Sequence, residues 1–176
     1  MNLLAQAHHG AAWALQRDDP AAALAAAEQY LDLYRESDVA AFTATSVMAL
    51  AGGLRARLGD DTGALELFHE AVVLGRDQGV RPQLAAALDW ALSPLTRTGH
   101  PDVAATFIGA LTQGALVGVG DFPGVDAARA RTLDRIRSIL GDQKTYELVA
   151  HGATLTYDDL VQYAIHHLAQ RHTSPD

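Results

Sequence analysis

The sequence has no cysteine, one lysine and one asparagine. Without thiols there is no disulfide and no thiolate zinc site. Of its 13 Lys and Arg residues only Lys144 is lysine, and they face 21 acidic residues, for a net charge of −8. That balance argues against a duplex-binding surface, because neutralising phosphates takes clustered Lys and Arg. The start, MNLLAQAHHG, lacks the positive n-region and long apolar run of a signal peptide. Long hydrophobic runs are scarce as well. The most apolar span, VAATFIGALTQGALVGVG (103–120), is interrupted by Thr106, Thr112, Gln113 and several glycines. It is marginal for a membrane helix and predicts a buried core helix instead. No Gly-x-Ser-x-Gly elbow occurs, and GDQKT (141–145) lacks the glycines of a phosphate loop. The expectation is a soluble cytoplasmic protein, with no catalytic residue, cofactor, metal, direct nucleic-acid partner or membrane partner.

What the chain does have is helical periodicity. It is 176 residues long, 49% hydrophobic and 19% charged, which suits one domain with a real core. No segment alternates with period two, and apolar residues recur at helical spacing nearly everywhere. Glycine, proline and aspartate cut the chain at RDDP (17–20), GDD (59–61), GV (79–80), GHPD (99–102), GDFPG (120–124), GD (141–142) and HGAT (151–154). Helices are predicted near 2–17, 20–36, 38–58, 61–78, 81–98, 101–117, 125–140, 142–150 and 156–171. For the last, Thr156 fits the N-cap, Asp159 the capping box, and Leu155 with Leu160 a hydrophobic staple. Gly152 is read as the residue that releases the helix before it.

The pieces repeat. At an offset of 42, Gly10 falls on Gly52, Asp18 on Asp60, Asp19 on Asp61 and Ala22 on Ala64. At an offset of 40, Gly59 falls on Gly99, Ala64 on Ala104 and Phe68 on Ile108. A period of this size means stacked helical hairpins. The small residues Gly10, Gly52, Ala22 and Ala64 would let paired helices approach, and Phe68 and Ile108 would fill the space between hairpins.

GDDTGALELFHEAVVLG (59–75) resembles the second half of a tetratricopeptide repeat. Ala64, Phe68 and Ala71 stand at its small, large and small positions, and Gly52 at its close-packing glycine. The longer period is similar to the helical-repeat region of MalT-like regulators. GHPDVAATFIGAL and LDRIRSILGDQKTYELVAHGATLTYDDLVQYAI resemble the C-terminal end of large LuxR-type ATP-binding regulators and of actinobacterial cyclase–ATPase–repeat proteins. The resemblance implies an all-α, right-handed solenoid of about three hairpins (1–120), closed by C-terminal capping helices (121–176), forming a single domain over 1–176. It implies a non-catalytic interaction or sensor module of a signal-transducing transcriptional regulator or cyclase-type protein. The upstream NTPase domain of such proteins is missing and the chain opens inside a helical pattern, so it reads as a piece of one.

In such stacks the first helix of each hairpin lines the concave surface. Carried over, those groove positions are Ser46 and Arg57, then Asp89, Ser93, Thr96 and Arg97. Arg57 and Arg97, 40 residues apart, should stack along one wall and favour an acidic segment of a protein partner or neighbouring domain. Ala7, Ala11, Ala14 and Leu15 are the equivalents in the first hairpin. They are apolar and suit either cover by an upstream repeat or self-association as a homodimer. A peptide-carboxylate clamp is excluded, since it needs asparagines and lysines. An alternative is a small-ligand pocket near Trp90 and Pro94, which predicts a closed, mostly apolar cavity of a few hundred Å³.

Other motifs read structurally. His8–His9 and His166–His167 diverge by about 100° on a helix, so neither pair chelates through one face. ELFH (66–69) occurs once, where a di-iron bundle needs two copies. Arg129, Arg131, Arg135 and Arg137 are read as a solvated helix face, with Leu133, Ile136 and Leu140 turned inwards. Pro94 cannot donate to the Trp90 carbonyl and should kink its helix.

Overall fold

In the computed structural model, which describes residues 3–36, 41–119 and 124–169, all the regular structure is α-helical. The helices are α1 (Leu3–Leu15), α2 (Pro20–Glu36), α3 (Ala41–Leu58), α4 (Asp61–Gln78), α5 (Arg81–Arg97), α6 (Pro101–Thr112), α7 (Val125–Leu140), α8 (Asp142–Thr154) and α9 (Tyr157–Ala169). No described helix is long and apolar enough to cross a membrane.

From α1 to α6 each helix packs on the next, and α3 also packs on α5. The punctuation shows why the chain turns where it does. Gly59 and Gly99 both take positive φ, 92° and 87°. Beyond them, the Asp60 N–H donates to the Arg55 carbonyl over 2.9 Å and the His100 N–H to the Leu95 carbonyl over 2.8 Å. These matched bonds satisfy orphan carbonyls at the two helix ends. They bear out the offset of 40, with Ala64 and Ala104, and Phe68 and Ile108, all buried.

The offset of 42 is one residue too long. The residues that cap α2 and α4 are Asp19, which accepts from the Ala22 N–H, and Asp60, which accepts from the Gly63 N–H, each over 2.9 Å. They lie 41 apart, so Gly10 does not correspond to Gly52. Accordingly a side chain on Gly10 would meet nothing within 4 Å, whereas a Cβ on Gly52 would lie 2.7 Å from the Phe68 ring. Gly52 is the close-packing glycine; Gly10 is not.

The last three helices wrap back over the hairpins. α7 packs on α5 and α6, α8 on α6, and α9 on α4. Gly152 does not release a helix end. It lies inside α8, which continues to Thr154. It is buried because a Cβ there would collide with the Thr106 carbonyl, 2.8 Å from its carbon. Gly109 on α6 makes the reciprocal approach: a Cβ there would collide with the Val149 carbonyl, 2.8 Å from its carbon. The α6–α8 crossing is thus backbone against backbone, open only to glycine. α6 itself ends at Thr112, not near 117: Gly114 turns the chain back against Ala110 and Ala153. α9 begins as expected, with the Asp159 N–H donating to Thr156 Oγ1 over 3.2 Å. The Asp159 carboxylate accepts from the Thr156 hydroxyl over 2.6 Å, in place of the Thr156 N–H that the expected capping box would use.

Candidate functional site

Adjacent glycines on α3 face different neighbours. Gly52 admits the Phe68 ring of α4. Gly53 admits the Trp90 indole of α5, whose nearest ring atom would stand 3.1 Å from a Cβ there. The Trp90 indole therefore lies close against α3, whose Leu50 and Leu54 line the same pocket. On α5 the helix runs through Pro94 to Arg97, and the Thr98 N–H and hydroxyl both return to the Pro94 carbonyl, over 2.9 and 2.8 Å. Between α3 and α5 this leaves a concave surface.

α7 lies across that surface. Its first turns contribute Val125, Ala128 and Thr132, and its Arg129 reaches in to Asp89. The Arg129 guanidinium grips the Asp89 carboxylate with both prongs, Nε to Oδ1 at 2.7 Å and Nη2 to Oδ2 at 2.6 Å. The two side chains are only 7% and 4% exposed. A bidentate, charge-assisted pair is the geometry that satisfies both ions out of water. With α7 in place the groove becomes a pocket of about 630 Å³, which stands half open to solvent rather than closed as expected. Apolar side chains of α3, α5 and α7 line most of it, and Gln16 after α1 also borders it.

The six groove positions separate. Arg57, Asp89, Ser93 and Arg97 line the cavity. Ser46 is partly buried on α3, one helical turn before the cavity begins at Leu50, and lies outside it. Thr96 is buried off the lining, its hydroxyl donating to the Leu92 carbonyl of its own helix over 2.8 Å.

The arginines differ in what holds them. Arg97 donates to Asp61 over 2.7 Å, to Ser93 Oγ over 2.6 Å and to the Ala56 carbonyl over 3.1 Å. The hydrogen bond to Asp61 raises its pKa further above the ordinary guanidinium range, against the opposing effect of burial. Arg57 is exposed and donates to the Gln16 carbonyl. Arg129 overturns its reading as part of a solvated face; Arg131, Arg135 and Arg137 are exposed as expected.

The sequence reading missed the Asp89–Arg129 pair, although each half carried a signal. Arg129 stands in the same stripe as Leu133, Ile136 and Leu140, at i, i+4, i+7 and i+11, which is the buried side of a helix. Asp89 sits in the buried run of α5 between Leu88 and Ala91. Two lone opposite charges, each on an apolar face, call for each other.

Among the described residues no three of His, Asp or Glu gather as a metal would need. No protein-family model, curated protein or solved structure matches the chain.

Proposed function

We propose that this protein is a non-catalytic regulatory module of tetratricopeptide-like hairpins, which senses a small effector held between α3, α5 and α7. The observation that carries this reading is α7, latched across the groove by Arg129 and leaving a cavity of about 630 Å³. That volume is within the usual range for small-molecule sites, roughly 300–1,000 Å³. An effector touching both the hairpins and α7 would bias how firmly α7 is held. Such a shift is transmissible to a neighbouring domain of a LuxR-type regulator or cyclase-type protein, the setting that the repeat resemblance implies. The matched turns after α3 and α5 and the Gly52–Phe68 contact support the repeat assignment.

An acidic protein segment is the weaker occupant. α7 already covers the groove, and Arg97 is engaged by Asp61. The test is ligand-induced thermal stabilisation across a small-molecule panel, with Ala128→Trp as the variant. Ala128 lines the cavity yet is otherwise exposed, so the indole fills the site without entering the core. Compounds that raise the melting temperature of the parent should lose that effect in the variant. Equal stabilisation of both would refute the cavity as the site.

A second reading, self-association, is favoured by α1, where Leu3, Leu4, Trp13 and Leu15 are exposed. Light scattering at two concentrations decides it, since a strict monomer rules it out.

A further inference from the structure

Resting on that reading, we infer that the cavity selects a small organic anion: a flat apolar body on Trp90 and Pro94, its carboxylate on Arg57. Three guanidiniums line the cavity, those of Arg57, Arg97 and Arg129, and they differ in what stands beside them. Arg129 is neutralised by Asp89 in a two-pronged pair, with the exposed Asp126 also 3.5 Å from its Nη1, and Arg97 is neutralised by Asp61. Among the described residues Arg57 has no acid partner; it donates to the Gln16 carbonyl. Arg57 is therefore the lining guanidinium left without a carboxylate beside it, in a protein whose net charge is −8. A guanidinium holds a carboxylate with two parallel hydrogen bonds.

The rest of the lining supplies the apolar half. Leu50, Leu54, Trp90, Leu92, Pro94 and Val125 surround the space. Gly53 lets the indole of Trp90 lie close on α3, where it lines the cavity. An aromatic ligand prefers such a surface. A cation would meet an unmatched Arg57, and a neutral body would leave that charge unused.

The experiment is calorimetric titration of the full chain with three probes of one shape: naphthalene-2-carboxylate, naphthalen-2-ylmethanol and naphthalen-2-ylmethylammonium. The carboxylate should bind about tenfold or more tightly than the alcohol, as charge-assisted hydrogen bonding predicts. Arg57→Gln should erase that preference and leave the alcohol unchanged; Arg131→Gln, on the exposed side of α7, should do nothing. Ala128→Trp should abolish binding of the carboxylate. If the alcohol binds as tightly as the carboxylate, or Arg57→Gln keeps the preference, the anion assignment is wrong while the cavity stands. If no probe binds, or Ala128→Trp leaves binding intact, the cavity reading falls and takes this inference with it.

Discussion

α7 and α8 are neighbours in sequence and docked by opposite physics. Each buries two residues fully: Arg129 and Ile136 in α7, Thr145 and Gly152 in α8. α8 has its main chain pressed against α6 at Gly109 and Gly152, so its attachment rests on shape and many weak contacts. α7 packs on α5 and α6 through side chains, the buried ion pair of Arg129 with Asp89 together with Ile136, Leu133 and Leu140. A backbone crossing has no intermediate state short of separation. An ion pair has one, because water can solvate both ions once they part. The comparison makes α8 a fixed part of the fold and α7 a wall able to respond to what lies beneath it.

The largest expected effect comes from breaking α8. Gly152→Val should cost about 4 kcal/mol or more in urea unfolding, because the Thr106 main chain cannot yield as a side chain would. A cost under about 1 kcal/mol would mean that the crossing is looser than the structure shows.

Breaking α7 should cost slightly less and be repairable. Arg129→Ala strands a buried Asp89 and should cost about 3–5 kcal/mol. Arg129→Met with Asp89→Leu removes both charges and should restore most of the stability. No apolar pair can repair Gly152→Val, and that difference is what separates the two attachments. If the double variant is no better than Arg129→Ala alone, the pair is not the latch.

Smaller effects sharpen the picture at the margins. Thr156→Ala removes the N-cap of α9 and should cost about 1 kcal/mol with no change in ligand binding. Gly10→Ala should stabilise by roughly 0.5–1 kcal/mol, since the position is open and helical. A loss there would revive the equivalence of Gly10 with Gly52.

These sites also mark how far the sequence could be read. The helices were legible because period and punctuation agree: apolar residues at helical spacing, then glycine, then a capping side chain. Gly52 was legible as a close-packing glycine and Phe68 as a large packing residue, but not as each other's partners: Phe68 was read as filling the space between hairpins, and its ring lies on Gly52 within one. Gly152 was misread because glycine both ends helices and lets them touch, and only the facing α6 backbone tells which. Gly10 was misread because Asp19, which caps α2, lies 41 rather than 42 residues before Asp60, which caps α4. Of the site, register placed Arg57 and Arg97, which line one pocket, and the pocket at Trp90 and Pro94 was an alternative that the register did not supply. The wall formed by α7 was not legible, since nothing local to residues 125–132 says which face of the hairpins it will cover. Its clue was a buried-stripe arginine matched to a buried-stripe aspartate 40 residues away.

Hydrogen–deuterium exchange, with and without saturating naphthalene-2-carboxylate, tests most directly whether α7 is the responsive wall of a binding cavity. In the free protein α7 amides should exchange faster than those of α8, since its hold includes a separable ion pair. The probe should slow α7 and the α5 segment around Trp90 and leave α8 unchanged. Equal protection of α7 and α8 in the free protein, or slowing confined to helices away from Trp90, would contradict the account.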